Sequence, residues 1–113
     1  MAKIEIVRSL FEEIKAKFKG KSHKIIDLLE TLEHSPKKGK ILCSIGGIVI
    51  KELKYTNFIF YFITDGFKLK CVSEKELVDL LLRFVRMSDK KHQQETINEI
   101  KHLLKIIGAG GFS

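Results

Sequence analysis

The stretch RFVRMSDKKH, residues 83–92, gathers Arg83, Arg86, Lys90, Lys91 and His92. Cleavage of RNA without a metal needs a base to take the 2′-hydroxyl proton, cations for the charge growing on the phosphate, and an acid for the leaving oxygen. Arg, Lys, His and Tyr can fill those roles between them. A second group, KELKY, sets Lys51, Lys54 and Tyr55 at the end of a β-branched run, where two cations beside a phenol would hold a phosphate or stack a base. In an ideal strand Lys51 and Lys54 point to opposite faces, so they converge only if the strand is twisted or bulged. The third group, SPKKGK, offers Lys37, Lys38 and Lys40 in a polar loop, either as phosphate contacts or as a solubilising connection. For residues 83–92 the plain alternative is a solvated helix face followed by a turn.

Other chemistries have little support. SIGGIVI holds two adjacent glycines but neither the lysine nor the helix pattern of a phosphate-binding loop. His23, His34, His92 and His102 are scattered without metal-ligand spacing, so neither a metal nor another cofactor is expected. Cys43 and Cys71 lie in apolar or strand-like stretches without CxxC spacing, and read as reduced, buried thiols rather than nucleophiles.

The chain of 113 residues, 44% hydrophobic and 31% charged, suits one folded domain over residues 1–108, followed by a flexible Gly-rich tail over 109–113. Its formal charge of +7 favours an anionic partner, because Lys and Arg that neutralise phosphates release counterions. No apolar run approaches the roughly 18 residues of a membrane span, and the N-terminus is unlike a secretory signal. A cytoplasmic protein without a membrane partner is expected.

These groups must be positioned by elements the spacing predicts. KIEIV alternates as a short strand, and SLFEEIKAKF places Leu10, Phe11, Ile14 and Phe18 at helical spacing up to Gly20. Ser22 can cap a second helix with a stripe of Ile25, Ile26, Leu28, Leu29 and Leu32. The short connection KGKS makes the two an antiparallel hairpin. Pro36 breaks the helix, and a sheet begins at ILCSIGGIVIKEL, with Gly46-Gly47 as a tight turn or a bulge. NFIFYFIT and FKLKCV, joined by Asp65-Gly66, form a hairpin signal.

SEKELVDLLLRFVRMS reads in two ways. As a helix it has a capping box, Ser73 with Glu76, and a polar face of Lys75, Asp79, Arg83 and Arg86. As a strand it is a run buried on both sides, with Arg83 and Arg86 on opposite faces. Periodicity favours the helix slightly. From Thr96 onward a helix is expected, with Ile97, Ile100, Leu103, Leu104 and Ile107 on one face and Gly108 at its stop. GAGGFS is expected to fray.

The order of these parts, with KELKYTNFIFYF and LLLRFVRMSDKKHQQETI as its two diagnostic segments, resembles the RelE/ParE superfamily of toxin–antitoxin toxins, most nearly its HigB-like, phage-derived branch. The resemblance runs over about residues 4–105. It implies an α+β, RelE-like fold: an N-terminal helical hairpin packed on a small twisted antiparallel sheet, with a C-terminal helix. It also implies a ribosome-dependent mRNA endoribonuclease that inhibits translation and is held by a cognate antitoxin in a hetero-oligomer. Lys51 and Lys54 would then meet mRNA phosphates. Arg86 and Lys90 would match basic positions after the family's FV, with Ser88 between them.

The catalytic set expected from the resemblance and the basic clusters together is Lys54, Arg86, Lys90 and His92, with Tyr55 as the alternative to His92, and with Lys37, Lys38, Lys40, Lys51, Tyr55, Arg83 and Lys91 as RNA contacts. The resemblance also moves the Leu-rich run toward a strand, where burial of Leu80, Leu81, Leu82 and Phe84 would contribute roughly 6 to 12 kcal/mol before entropy. Two departures are visible. Asn57-Phe58 stands where the family has Tyr-Arg, and TDGFKLKCVSEKE is inserted before the Leu-rich run. The missing arginine motivates an alternative, a non-catalytic RNA- or partner-binding module of the same fold. A third reading is an interaction protein that pairs through Ile97, Ile100, Leu104 and Ile107.

Overall fold

A computed structural model describes residues 2–70, 80–108, 110 and 112. Strand β1 (Lys3–Ile6) leads into helices α1 (Arg8–Phe18) and α2 (Ser22–Glu30), joined by a single 3-10 turn. Leu10 and Ile14 of α1 and Ile25 and Leu29 of α2 are buried, so the expected hairpin forms through part of its expected stripes, while Phe11, expected on the α1 stripe, is exposed. Its punctuation differs from expectation. Lys19, at a φ of 47°, ends α1 in place of Gly20, and Ser22 lies inside α2 with no side-chain cap at the helix start.

The sheet contains β2 (Lys40–Ile45), β3 (Ile48–Tyr55), β4 (Phe58–Asp65) and β5 (Leu81–Asp89) in the order β1-β5-β4-β3-β2. It is mixed, which corrects the antiparallel expectation: β1 runs parallel to β5, while the other pairings are antiparallel. The chain leaves β1 through the helical hairpin and re-enters the sheet at its other edge, so β1 lies beside the last strand in that strand's own direction. Gly46 and Gly47, at φ of 55° and 84°, make the tight β2–β3 turn, a conformation that disfavours other residues.

The Asp65-Gly66 hairpin does not form. Asp65 Oδ1 accepts the N–H groups of Phe67 (2.9 Å) and Lys68 (3.2 Å) and so caps a one-turn helix, α3 (Gly66–Leu69). Glycine is needed at 66 for close approach: a Cβ there would stand 2.8 Å from Val49 Cγ2 and 2.9 Å from Gly47 O. Cys71, the Ser73–Glu76 capping box and residues up to 79 lie outside the described residues. Cys43 is a free thiol that is only partly buried.

From Leu81 to Asp89 the Leu-rich run is a strand, and its helical reading fails there. Leu80, Leu82 and Phe84, which share one face, are buried, while Leu81 on the other face is 37% exposed, so this stretch is buried from one side and not from both as expected. The physical reason is its place between β1 and β4, where apolar burial outweighs local helical periodicity. Helix α4 (Gln93–Ile106) buries Ile97, Ile100 and Leu104, but Ile107 follows the helix and is exposed. Phe112 does not fray: it is buried, with its ring centre 5.2 Å from Arg86 Cζ. No described helix is long and apolar enough to cross a membrane.

Candidate nucleic-acid interface

Strand register decides which cations meet. Tyr55, Phe58 and Asp89 form the last row of the sheet, and Lys54, Ile59 and Ser88 the row before it. Lys90, Lys91 and His92 follow at once, in the turn before α4. Lys54 and Tyr55 therefore share one end of the sheet with Lys90, Lys91 and His92, across two strand spacings or about 10 Å. Helix α1 reaches the same end, with the Phe18 ring 6.5 Å from that of Tyr55 and 5.2 Å from that of Phe58. It carries Lys17, whose Nζ lies 5.0 Å from the centre of the Phe58 ring.

At this tip Asp89 Oδ1 accepts the backbone N–H of His92 at 2.9 Å and lies 2.7 Å from His92 Nδ1. These bonds hold the Asp89 carboxyl below its ordinary pKa and raise that of His92. With Nδ1 engaged, Nε2 is the ring nitrogen left for a substrate. Behind the pair, the Ser88 hydroxyl donates to Asp89 O at 2.9 Å and accepts from the fully buried Tyr61 hydroxyl at 2.8 Å. Burial pushes the Tyr61 phenol up, against the Ser88 bond, which lowers it. The buried Glu52 carboxylate accepts Gln93 Nε2 at 3.0 Å and stands 3.8 Å from Lys54 Nζ. A buried, hydrogen-bonded polar floor thus lies beside exposed cations.

Six expected residues are not part of this arrangement: Lys51, Arg83 and Arg86, and Lys37, Lys38 and Lys40 on the β2 flank. Lys51 is 1% exposed, and its Nζ donates to Lys37 O (3.0 Å) and Lys38 O (2.9 Å). Burial lowers its pKa. It fastens the loop to the sheet and is closed to a phosphate, which corrects its assignment as an RNA contact. Arg83 sits toward the other end, 3.0 Å from Glu5, beside a cavity of about 190 Å³ lined also by Ile63, Asp65 and Leu81.

Arg86 is held by Glu99 at 2.6 Å and Val85 O at 2.7 Å under the Phe112 ring, so it links α4 and Phe112 to β5. An inserted Val85 shifts the register, so Arg83 pairs with Ile63 and Arg86 with Tyr61. Cross-strand partners share a face and Ile63 and Tyr61 are two apart, so the arginines emerge on one face rather than on opposite ones.

Lys37, Lys38 and Lys40 are exposed on the β2 flank, where Lys40 pairs with Glu52, three strand spacings (about 14 Å) from β5. Sequence reading missed Lys17, Asp89 and the Glu52–Gln93 support. The available signal for Lys17 was KAKFKGK, a lysine at every second position around Phe18. No cluster of His, Cys, Asp and Glu suited to a metal occurs among the described residues. Comparison with protein-family models, with curated proteins and with solved structures finds no significant match to this chain, so the chemistry of the tip carries its functional reading.

Proposed function

We propose that the chain is a RelE-like toxin of a toxin–antitoxin pair, which cleaves mRNA on the ribosome at the basic tip of its sheet and is restrained by an antitoxin covering that tip. One observation carries the reading: Lys54, distant in sequence from Lys90, Lys91 and His92, lies at the same exposed end of the sheet as they do, beside a buried polar floor. In the reaction the 2′-oxygen attacks the adjacent phosphorus, the bond to the 5′-oxygen breaks, and a 2′,3′-cyclic phosphate is left. Lys54 and Lys90 hold the phosphate charge, Lys91 a neighbouring phosphate, and Tyr55 a base. His92 Nε2 gives its proton to the leaving 5′-oxygen, and the 2′-hydroxyl proton passes to water. The raised pKa that Asp89 gives His92 keeps this acid charged nearer neutral pH.

Primer-extension mapping of mRNA ends after induction tests the proposal. New ends should appear with the natural chain and disappear with Lys54→Ala/Lys90→Ala, and growth arrest should be relieved. Phe58 in place of an arginine, together with the engagement of Arg86 by Glu99, favours a second reading, a non-catalytic RNA-binding module. Ribosome or RNA binding without cleaved ends would select it.

A further inference from the structure

The last turn of α1 carries a cation that neither the sequence motifs nor the proposed chemistry employs. Phe18 is fixed by ring contacts with Tyr55, Phe58 and Phe60, which pins the helix end to the final rows of the sheet. Lys17, exposed, extends over the Phe58 ring at 5.0 Å, and Phe58 pairs directly with Asp89. Its charge is felt by both Asp89 and His92. A lysine in the last turn also complements the helix dipole, which accounts for the residue type. The dipole does not account for its place over the row that contains Asp89, on the opposite side from the support Glu52 and Gln93 give.

We propose that Lys17 is a phosphate-holding residue of the tip, so that single-stranded RNA passes between the end of the helical hairpin and the turn after β5 and is gripped from both sides. This rests on the tip being the RNA site. It adds a cation from a different element, at the ring that stands where the family resemblance expects an arginine.

The test uses the full chain with Lys17→Met and Lys17→Arg, and binding of a labelled single-stranded oligoribonucleotide across a salt series. Lys17→Met should weaken binding about fivefold at 0.1 M salt and make the slope of log affinity against log salt shallower by about 0.7, the share of one phosphate contact. Lys17→Arg should restore both. An unchanged slope in Lys17→Met would overturn the proposal. So would equal weakening by both variants with a lowered melting temperature, because the residue would then be structural. If the natural chain binds and Lys17→Met loses slope but primer extension after induction shows no new mRNA ends, the phosphate role stands and the nuclease reading falls. If the natural chain does not bind the oligoribonucleotide, the Lys17 proposal falls, and the mRNA ends alone decide the nuclease reading.

Discussion

The two ends of the sheet treat their cations differently. Where β5 begins, Arg83 is matched by Glu5 at 3.0 Å, and further along the strand Arg86 is matched by Glu99 at 2.6 Å. Where β5 finishes, Lys17, Lys90 and Lys91 form no ion pair within 4.0 Å among the described residues, and Lys54 has only the buried Glu52, at 3.8 Å. Matched cations join one element to another. Exposed cations with few close carboxylates raise the local potential and attract an anion from outside. The difference separates the arginines of β5 from the lysines after it, which sequence alone had grouped as one cluster.

The strongest way to break this comparison is to empty the tip. Lys54→Ala/Lys90→Ala should lower cleavage by about 10²–10⁴-fold while changing stability by no more than about 0.5 kcal/mol, read by single-turnover assays and urea denaturation. A comparable loss of stability would place these lysines with the structural set. Next comes the buried lysine. Lys51→Ala removes both bonds to the Lys37–Lys38 loop and should cost about 2–4 kcal/mol of unfolding free energy. Arg83→Ala should cost at most about 1 kcal/mol and leave cleavage as it was, since its pair with Glu5 is partly exposed and away from the tip.

The smallest effect sharpens the tip itself. His92 has a raised pKa, so its bond with Asp89 contributes most below pH 6.5 and is lost as pH rises through the folded-state value. Asp89 has a lowered pKa, so its contribution is present above 3.8 and is lost as pH falls through its own folded value. Asp89→Asn should therefore move the His92 titration, followed by NMR of the imidazole protons, toward lower pH. The alkaline limb of cleavage, where the general acid loses its proton, should move with it. An unmoved titration would mean that Asp89 does not set the state of His92.

What was legible followed from periodicity. The helical hairpin, β1, the β2–β3 turn and α4 are written in the spacing of their apolar residues and in paired glycines. Asp65-Gly66 misled because the same dipeptide suits a hairpin turn and a helix cap, and only the closeness of Val49 and Gly47 O decides. Residues 81–89 looked helical because neighbours on both sides, invisible locally, make a strand of them. Lys51 and Arg86 were misassigned because the groups that occupy them, the Lys37–Lys38 carbonyls and Glu99, are 13 or 14 positions away. Lys17 was passed over because its spacing puts it on a solvent face, and nothing local reports that this face ends at the tip.

The central claim, that exposed lysines at one end of the sheet take up RNA phosphates, is tested most directly by salt-dependent binding of a single-stranded oligoribonucleotide to two variants. Replacing Lys17, Lys54 and Lys90 together by Met should reduce the slope of log affinity against log salt by about 2, and Arg83→Ala should leave it unchanged. An unchanged slope in the triple variant, or an equal reduction from Arg83→Ala, would contradict the account.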